Sequence, residues 1–223
     1  MTLSAAYKAV IFDLDGTLLD TLTDIATSMN HALNGLGLPG HEPEAYKLFV
    51  GEGSYKLAER ALPEDRRDPE TISFCEASFL AFYEKHWRDA TQPYHGIPEL
   101  VTRLHGSQIR MGVLSNKPDD FVHRCVDAFF LRDTFDMVRG AAPGMPKKPN
   151  PSTLTTMLER MALSVRQVVF VGDTGIDMRT GRSAGAFVVG VTWGFRDEDE
   201  LYRDGAEALI HQPRELLRYL GMS

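Results

Sequence analysis

Short apolar runs alternate with stretches of helical periodicity along most of this chain. The first run, at residues 9–12, is continuous and rich in β-branched side chains, which is typical of a strand buried on both faces. Further strands are predicted at residues 110–114, 135–139, 167–171, 187–191 and 208–210. Helices are predicted in the intervening and final segments, at residues 98–104, 118–129, 151–161, 176–184 and 213–220. This alternation predicts an α/β fold, a Rossmann-like parallel sheet flanked by helices and joined by right-handed crossovers.

Between residues 21 and 89 the pattern is helical throughout. Apolar side chains recur there at spacings of three and four, and helices are predicted near residues 22–36, 44–49, 54–62 and 69–87. The sequence of this block shows no convincing strand pattern. We therefore predict two domains, an α/β core of residues 1–20 and 90–223 and an all-helical domain of residues 21–89 inserted after the first strand.

The composition says little about the fold, but it narrows the classes of partner that the protein can bind. The 223 residues carry a net charge of −7 without a concentrated basic stretch, which argues against nucleic acid or an anionic membrane as the main partner. No apolar run approaches the ~20 residues that span a bilayer, and Cys75 and Cys125 form no C-x-x-C motif. We therefore expect a cytoplasmic protein with reduced thiols, a monomer or a homodimer, in which local positive groups hold any anionic ligand.

Polar side chains follow three of the predicted strands directly. They are Asp13, Asp15, Ser115, Asn116, Asp173 and Asp177. Because the carboxyl ends of parallel strands share one edge of a sheet, these groups can converge, together with Lys148 from a loop. Two carboxylates ~4 Å apart repel by ~4 kcal/mol at an effective dielectric of ~20, so such a cluster needs a cation. Oxygen ligands favour a hard ion, and we expect Mg²⁺, with Ser115, Lys148 and backbone N–H groups holding phosphate oxygens.

Each of these groups also has an ordinary structural explanation. The stretch Asp13-Leu14-Asp15-Gly16 fits an Asx turn at the end of a strand, and Ser115 fits a turn cap. Asp173 and Asp177 fit the N-terminus of the helix that follows them, and Lys148 fits a solvated surface charge. All of these explanations must hold together for the catalytic interpretation to fail.

Four short motifs at these positions resemble the motifs of the haloacid dehalogenase-like hydrolase superfamily and occur in the same order. They are Asp13-Leu14-Asp15-Gly16-Thr17, Ser115, Lys148-Pro149-Asn150-Pro151 and Gly172-Asp173-Thr174-Gly175-Ile176-Asp177. Any one of them is a weak signal, whereas four in order over nearly the whole chain are a strong one. The all-helical insert resembles the C1-type cap of that superfamily.

The resemblance implies a role for each motif. By this resemblance Asp13 is the nucleophile that forms an aspartyl phosphate, and Asp15 is the general acid and then the base that activates water. The metal is held by the Asp13 carboxylate, the Asp15 backbone carbonyl and Asp173, and Asp177 binds it directly or through water. Dehalogenases of the superfamily do not carry Asp at the position of Asp15, so this residue favours a phosphotransfer enzyme.

A second set of motifs resembles the phosphoglycolate phosphatase branch. They are Val50-Gly51-Glu52-Gly53, Ser115-Asn116-Lys117-Pro118 and Val191-Thr192-Trp193-Gly194-Phe195. Lys56 and Arg60 share one helix face, which is either a solvated face or a site for a substrate carboxylate. We expect Arg60 to grip the carboxylate, because a guanidinium offers two parallel bonds. The expected substrate contacts are Thr17, Asn116, Gly51, Gly53, Lys56 and Arg60.

These motifs predict a Mg²⁺-dependent phosphatase of small phosphorylated metabolites, with 2-phosphoglycolate as the leading candidate. A β-phosphoglucomutase-like mutase and a broad-specificity sugar-phosphate phosphatase are alternatives within enzymes, and a catalytically idle binding module is an alternative of another class. The intact carboxylate set argues against the idle module, because such a cluster without a metal only costs stability. Two chain crossings, near residues 19–21 and 89–94, tether the insert, so we expect it to open and close over the core.

Overall fold

The computed structural model describes residues 7–222, and its elements follow the sequence pattern closely. In chain order they are β1 (Ala9–Phe12), β2 (Leu19–Asp20), α1 (Leu22–Gly35), α2 (Pro43–Phe49), α3 (Ser54–Ala61), α4 (Pro69–His86), β3 (Gln92–Pro93), α5 (Ile97–Gly106), β4 (Arg110–Pro118), α6 (Asp119–Phe129), β5 (Met137–Ala141), α7 (Ser152–Arg160), β6 (Val168–Gly172), α8 (Gly175–Ala184), β7 (Phe187–Val191), α9 (Glu198–Asp204) and β8 (Ala208–Ile210). Stretches of 3₁₀ helix lie at Glu64–Arg66, Val165–Gln167 and Pro213–Leu220. Residues 1–6 and 223, which the sequence analysis assigns to the core, lie outside the described residues.

The core of the described chain is one parallel sheet with the strand order β5-β4-β1-β6-β7-β8. Within it Phe12 of β1 lies opposite Val113 of β4 on one side and Val171 of β6 on the other. Every residue of β1 is buried, as expected for a strand covered by helices on both faces. The predicted α/β fold with a Rossmann-like parallel sheet is therefore confirmed.

The order of the strands marks where a ligand binds. The chain adds β4 and β5 on one side of β1 and then returns to add β6, β7 and β8 on the other. The strand order therefore reverses between β1 and β6. In open α/β sheets, ligands bind outside the carboxyl ends of the strands at such a switch point.

The structure departs from the predicted elements in two places that matter later. Strand β4 continues to Pro118, beyond the predicted end at residue 114, and its register against β5 shifts between Leu114 and Pro118. Ser115 and Asn116 therefore lie in the irregular end of a strand and not in a loop behind it. Helix α9 was not predicted, because Leu201 is its one buried residue and a single apolar position shows no periodicity.

Within the described chain, four helices fill the segment between β2 and β3, and we call them the insert. Helix α1 packs against α4 through buried side chains such as Met29 and Cys75, whose sulfur atoms lie 3.6 Å apart. The insert is helical, as predicted, and its separate role as a C1-type cap domain stays a prediction. Every helix within residues 7–222 is too short or too polar to span a bilayer.

The insert enters and leaves the core at one place. Strands β2 and β3 pair in antiparallel fashion, with Leu19 opposite Pro93. Asp24 on the first turn of α1 accepts hydrogen bonds from the backbone N–H groups of Ala90 and Thr91, at 2.9 Å and 2.8 Å, and from the Thr91 hydroxyl at 2.7 Å. Because the Asp24 carboxylate is buried, these bonds hold the two crossings side by side.

Candidate active site

Among residues 7–222, three carboxylates converge beyond the ends of β1 and β6. Asp13 follows β1, Asp173 follows β6, and Asp177 lies on the first turn of α8. One oxygen from each carboxylate lies within 4.8 Å of the oxygens from the other two. Asp173 and Asp177 are fully buried, and Asp13 is 7% exposed. The structure thus brings these three side chains to the switch point of the sheet.

Two glycines leave room for Asp173. Gly16 has a φ of +83°, and a Cβ atom at this position would lie 2.2 Å from Asp173 Oδ2. A Cβ atom at Gly194 would lie 2.3 Å from the Cβ of Asp173. Neither distance is sterically allowed, so the close approach of both backbone segments to the carboxylate requires glycine.

Hydrogen bonds fix the orientation of the two deepest carboxylates. The Thr17 hydroxyl donates to Asp173 Oδ1 at 2.8 Å, and the Phe195 N–H donates to Asp173 Oδ2 at 2.9 Å. Thr174 donates both its N–H and its hydroxyl to Asp177 Oδ2, at 3.1 Å and 2.7 Å. The substrate contact expected of Thr17 stays a prediction, and in this structure its side chain is fully buried and holds Asp173.

Lys148 is the cation of this cluster. Its Nζ lies 2.8 Å from Asp13 Oδ1 and 2.6 Å from Asp177 Oδ1. Burial lowers the pKa of the Lys148 ammonium, but the carboxylates of Asp13 and Asp177 outweigh that effect and raise it overall. Burial, and after it the Asp177 carboxylate, raise the pKa of Asp13 well above its usual range. The same two causes raise the pKa of Asp173 to about 7.

The cluster fits a divalent cation. In the described chain three carboxylates face the single ammonium of Lys148, so the fully ionised cluster has two uncompensated negative charges. Burial makes such an excess costly, and protons or a cation must balance it. The carboxylate donors are hard oxygen atoms, which Mg²⁺ prefers. The Asp15 carboxylate is not part of this cluster, and the metal contact of its backbone carbonyl, which the family resemblance implies, stays a prediction.

The Asp15 carboxylate contacts a second buried cation, Lys117. Lys117 Nζ lies 3.0 Å from Asp15 Oδ1 and 3.2 Å from Oδ2, and it donates to the hydroxyl oxygen of Tyr83 at 2.8 Å. Burial lowers the pKa of Lys117, and the neighbouring Asp15 carboxylate more than reverses the effect, so the pKa is raised overall. Lys117 belongs to the motif Ser115-Asn116-Lys117-Pro118, but no sequence pattern indicates Tyr83 as its partner, because the contact joins an insert helix to a core strand.

A cavity of about 50 Å³ separates the insert from the carboxyl edge of the sheet. Its core side includes Asp13, Asp15, Ser115, Asn116 and Lys117. Its insert side includes Gly51, Gly53, Leu57, Phe79 and Tyr83. The charged groups therefore face the cavity from the core, whereas the insert supplies mainly backbone, aliphatic and aromatic surface.

Asn116 links three backbone segments around this cavity. Its Nδ2 donates to the carbonyl oxygens of Gly51 and Lys148, each at 2.9 Å. Its Oδ1 accepts a hydrogen bond from the Lys148 N–H at 2.8 Å. Asn116 lines the cavity, as expected for a substrate contact, but its side chain is already bonded to the insert loop and to the loop that carries Lys148.

Lys56 and Arg60 lie away from the cavity lining. The Lys56 ammonium pairs with Glu59, and the Arg60 guanidinium pairs with Glu52 and donates to the Phe49 carbonyl at 3.1 Å. Carboxylates of the insert itself therefore satisfy both cations. The substrate contacts expected of these two residues stay a prediction, and both cations already have acidic partners. The four-residue spacing predicts a shared face but not which acids lie beside it.

Comparison with known proteins decides the family. A family model described as haloacid dehalogenase-like hydrolase matches residues 10–191. The chain belongs to this family. The matched range includes all four motifs, from Asp13 to Asp177, and the resemblance inferred from them is confirmed.

This haloacid dehalogenase-like hydrolase is similar to named proteins over nearly its whole length. It is 30% identical over 212 residues to the phosphoglycolate phosphatase of Chromobacterium violaceum, covering 94% of each chain. It is 32% identical over 206 residues to the phosphoglycolate phosphatase of Nitrosospira multiformis, covering 91% of each chain. A crystal structure from Lactobacillus delbrueckii subsp. bulgaricus superposes with a TM-score of 0.90 at 28% identity, covering 96% of this chain and 98% of the other.

Proposed function

We propose that this hydrolase is a Mg²⁺-dependent phosphatase of small phosphorylated metabolites, with 2-phosphoglycolate as its leading substrate. The observation that carries the proposal is the buried cluster of Asp13, Asp173, Asp177 and Lys148 beside a cavity that also exposes Asp15. The two relatives named above are phosphoglycolate phosphatases, which supports this substrate.

Asp13 is the proposed nucleophile. Lys148 and the Leu14 N–H, which donates at 2.7 Å, both contact Asp13 Oδ1 and so orient the carboxylate. A carboxylate oxygen of Asp13 attacks phosphorus, the bond from phosphorus to the leaving oxygen breaks, and the phosphoryl group remains on Asp13. Ser115, which lines the cavity, and Lys148, whose ammonium contacts Asp13, are the proposed partners of the phosphoryl oxygens.

Asp15 is the proposed proton carrier. Its carboxyl group gives a proton to the leaving oxygen as the first bond breaks. The resulting carboxylate then takes a proton from water, whose oxygen attacks the phosphorus, and Asp13 is released with inorganic phosphate. One residue thus acts as acid and then as base, so its orientation matters in both half-reactions.

Four groups are the proposed ligands of Mg²⁺. They are the carboxylates of Asp13, Asp173 and Asp177 and the backbone carbonyl of Asp15. The bound ion supplies positive charge against the phosphoryl oxygens. The two uncompensated negative charges of the cluster support this assignment, because a divalent ion balances them without protonating the nucleophile.

The insert is the proposed cap that closes over the substrate. A cavity of about 50 Å³ is small beside the ~300–1,000 Å³ of sites for drug-sized ligands, which favours a small substrate. The paired crossings at Leu19 and Pro93 provide a tether about which the insert opens and closes. Closure removes water from the reacting groups, which is a common role of such lids.

A phosphate-release assay tests the proposal. We expect the wild type, dialysed against EDTA, to be inactive and to regain turnover of 2-phosphoglycolate on addition of Mg²⁺. Asp13→Asn, which is nearly isosteric, should abolish turnover while the fold is retained. Undiminished activity in EDTA contradicts the metal assignment. Equal turnover of sugar phosphates indicates a broad-specificity phosphatase, and isomerisation of β-glucose 1-phosphate without phosphate release indicates a mutase.

The cellular location and the assembly of the protein stay predictions. The cytoplasmic location rests on the composition and on the two unpaired cysteines. Fractionation of cells tests the location, and size-exclusion chromatography with light scattering distinguishes a monomer from a homodimer.

A further inference from the structure

Lys117 joins the core to the insert at the Asp15 carboxylate. Its ammonium lies within 3.2 Å of both carboxylate oxygens of Asp15 and 2.8 Å from the Tyr83 hydroxyl oxygen. Lys117 and Asp15 belong to the core, whereas Tyr83 belongs to helix α4 of the insert. Lys117 is 8% exposed and Tyr83 is 2% exposed, so water competes little for these bonds.

The geometry uses every donor of the ammonium. A lysine side chain offers three N–H bonds, and three oxygen atoms lie within hydrogen-bond distance of Lys117 Nζ. Two of these atoms fix Asp15, and the third fixes the position of the ammonium against the insert. The orientation of Lys117 is therefore set jointly by the core and by Tyr83.

The orientation of the Asp15 carboxylate depends on one partner, whereas the orientation of the Asp13 carboxylate depends on two. Within the described residues, the hydrogen bonds to the Asp15 carboxylate come from Lys117. Asp13, in contrast, is held both by Lys148 and by a backbone N–H. Loss of Lys117 would leave the Asp15 side chain free to rotate beside the cavity.

Tyr83 is held rigidly on the insert side. Its ring stacks on Phe79, with ring centroids 5.3 Å apart, and packs against Phe121 of the core at 5.1 Å. The Lys117 ammonium also lies 4.8 Å from the centroid of the Tyr83 ring. The hydroxyl therefore reaches Lys117 when α4 lies beside the end of β4 and the first turn of α6, as it does here.

We infer that Lys117 is a positioning residue for Asp15 and that Tyr83 completes the arrangement from the insert. In this arrangement Asp15 Oδ1, the nearer oxygen at 3.0 Å, keeps its bond to Lys117 while Oδ2 carries the proton, so the carboxyl group keeps one orientation as acid and as base when the insert is closed over the core. This inference rests on the proposed function, in which Asp15 gives a proton to the leaving oxygen. It adds that the insert contributes to proton transfer as well as to the exclusion of water.

Leaving-group dependence is the measurement that separates this role from simple support of the fold. Phenyl phosphate and p-nitrophenyl phosphate have the same ring and no carboxylate, but nitrophenolate leaves without much help from a proton donor. General acid catalysis contributes ~10²–10⁴-fold to poor leaving groups. Lys117→Met should therefore lower kcat/KM for both esters, and the loss on phenyl phosphate should be at least about tenfold larger than the loss on p-nitrophenyl phosphate.

Tyr83→Phe gives a second and milder test. It removes one oxygen atom and keeps the ring that packs against Phe79 and Phe121, so it remains informative even where Lys117→Met does not fold. It should also lower kcat/KM for phenyl phosphate more than for p-nitrophenyl phosphate, but by a smaller factor than Lys117→Met. The matched control is Tyr46→Phe, since Tyr46 is also fully buried in the insert but donates its hydroxyl to Asn30, within the insert, at 2.6 Å.

The outcomes are distinct. The deciding quantity is the kcat/KM for p-nitrophenyl phosphate divided by the kcat/KM for phenyl phosphate. If this ratio rises in Lys117→Met and in Tyr83→Phe and is unchanged in Tyr46→Phe, the inference is supported. Equal losses on both esters, or equal behaviour of Tyr83→Phe and Tyr46→Phe, overturn it. An unchanged activity on both esters with a loss confined to 2-phosphoglycolate also overturns it, because Lys117 then recognises the substrate carboxylate. A wild type that releases no phosphate from any ester overturns the proposed function itself.

Discussion

The side-chain amide of Asn116, at the end of β4, donates a hydrogen bond to the backbone carbonyl of Gly51 in the insert over 2.9 Å. The same side chain donates to and accepts from the backbone of Lys148. One side chain therefore sets the distance between the insert loop and the loop that carries the cation of the carboxylate cluster.

Asn116→Ala should lower both stability and turnover. It leaves two carbonyl groups and one N–H group without their partner, and each buried loss of this kind costs ~1–3 kcal/mol. We expect the free energy of unfolding in urea to fall by about 3 kcal/mol or more. Asn150→Ala is the control, because Asn150 accepts one exposed hydrogen bond, from Ser152, in the same loop region. Equal losses in the two variants would show that the Asn116 bonds contribute little.

Mg²⁺ should stabilise the folded protein as well as restore its activity. A ligand at 100 times its dissociation constant adds about 2.7 kcal/mol to the free energy of unfolding, which differential scanning calorimetry detects as a higher Tm. Asp173→Asn should lose most of that shift. Asp197→Asn, which alters the exposed N-cap residue of α9, should keep it. A Tm of the wild type that does not respond to Mg²⁺ contradicts the assigned ligand set.

The stability of the metal-free protein should fall as the pH rises towards 7. The pKa of Asp173 is raised to about 7 in the folded chain, against ~3.9 for an unfolded chain. Between these values the folded state binds more protons than the unfolded state, so stability decreases with rising pH, by up to about 1.4 kcal/mol per pH unit. Above pH 7 the decrease ends, because the carboxyl group is ionised in both states.

Urea titrations in EDTA between pH 5 and pH 8 measure this decrease. The difference between the wild type and Asp173→Asn isolates the contribution of the cluster from that of other titrating groups. Saturating Mg²⁺ should remove the decrease, since the cation favours the ionised carboxylate. If the free energy of unfolding has the same pH dependence in the wild type and in Asp173→Asn, the raised pKa of Asp173 does not explain the decrease.

Arg60→Ala should weaken the insert without changing substrate preference. Arg60 pairs with Glu52, and a part-exposed pair of this kind contributes about 0–1 kcal/mol to stability. Turnover of 2-phosphoglycolate and of phenyl phosphate should therefore fall by the same small factor. Glu52→Gln removes the other partner and should give the same profile. A loss of activity confined to 2-phosphoglycolate would instead show that Arg60 binds the substrate carboxylate, as expected from the sequence.

The architecture of this protein is predictable from sequence because it depends on local periodicity and on one topological rule. The run at β1 and the polar residues behind it predict a buried strand with carboxylates at its end. Parallel strands then bring Asp13 and Asp173 to one edge whatever the details of the loops. This is why the convergence of the carboxylates follows from the order of the strands.

The contacts between the insert and the core are not predictable in this way. Lys117 and Tyr83 meet because α4 lies across the end of β4, and no pattern within either segment indicates that packing. Arg60 is a second example. Its helical spacing with Lys56 is predicted correctly, but its pairing with Glu52, which precedes the helix, is not. Pairings between elements distant in sequence require the three-dimensional structure.

The antiparallel pair of β2 and β3 places Leu19 and Pro93 opposite each other, and Asp20 opposite Gln92. Paired positions of this kind lie ~5 Å apart, a gap that a hairpin turn of a few residues bridges. The sheet and its carboxylate cluster thus need nothing from the insert for their connectivity. The insert can therefore be exchanged between relatives without breaking a strand of the sheet, and a chimaera that keeps Tyr83 tests whether the insert determines which phosphate esters are hydrolysed.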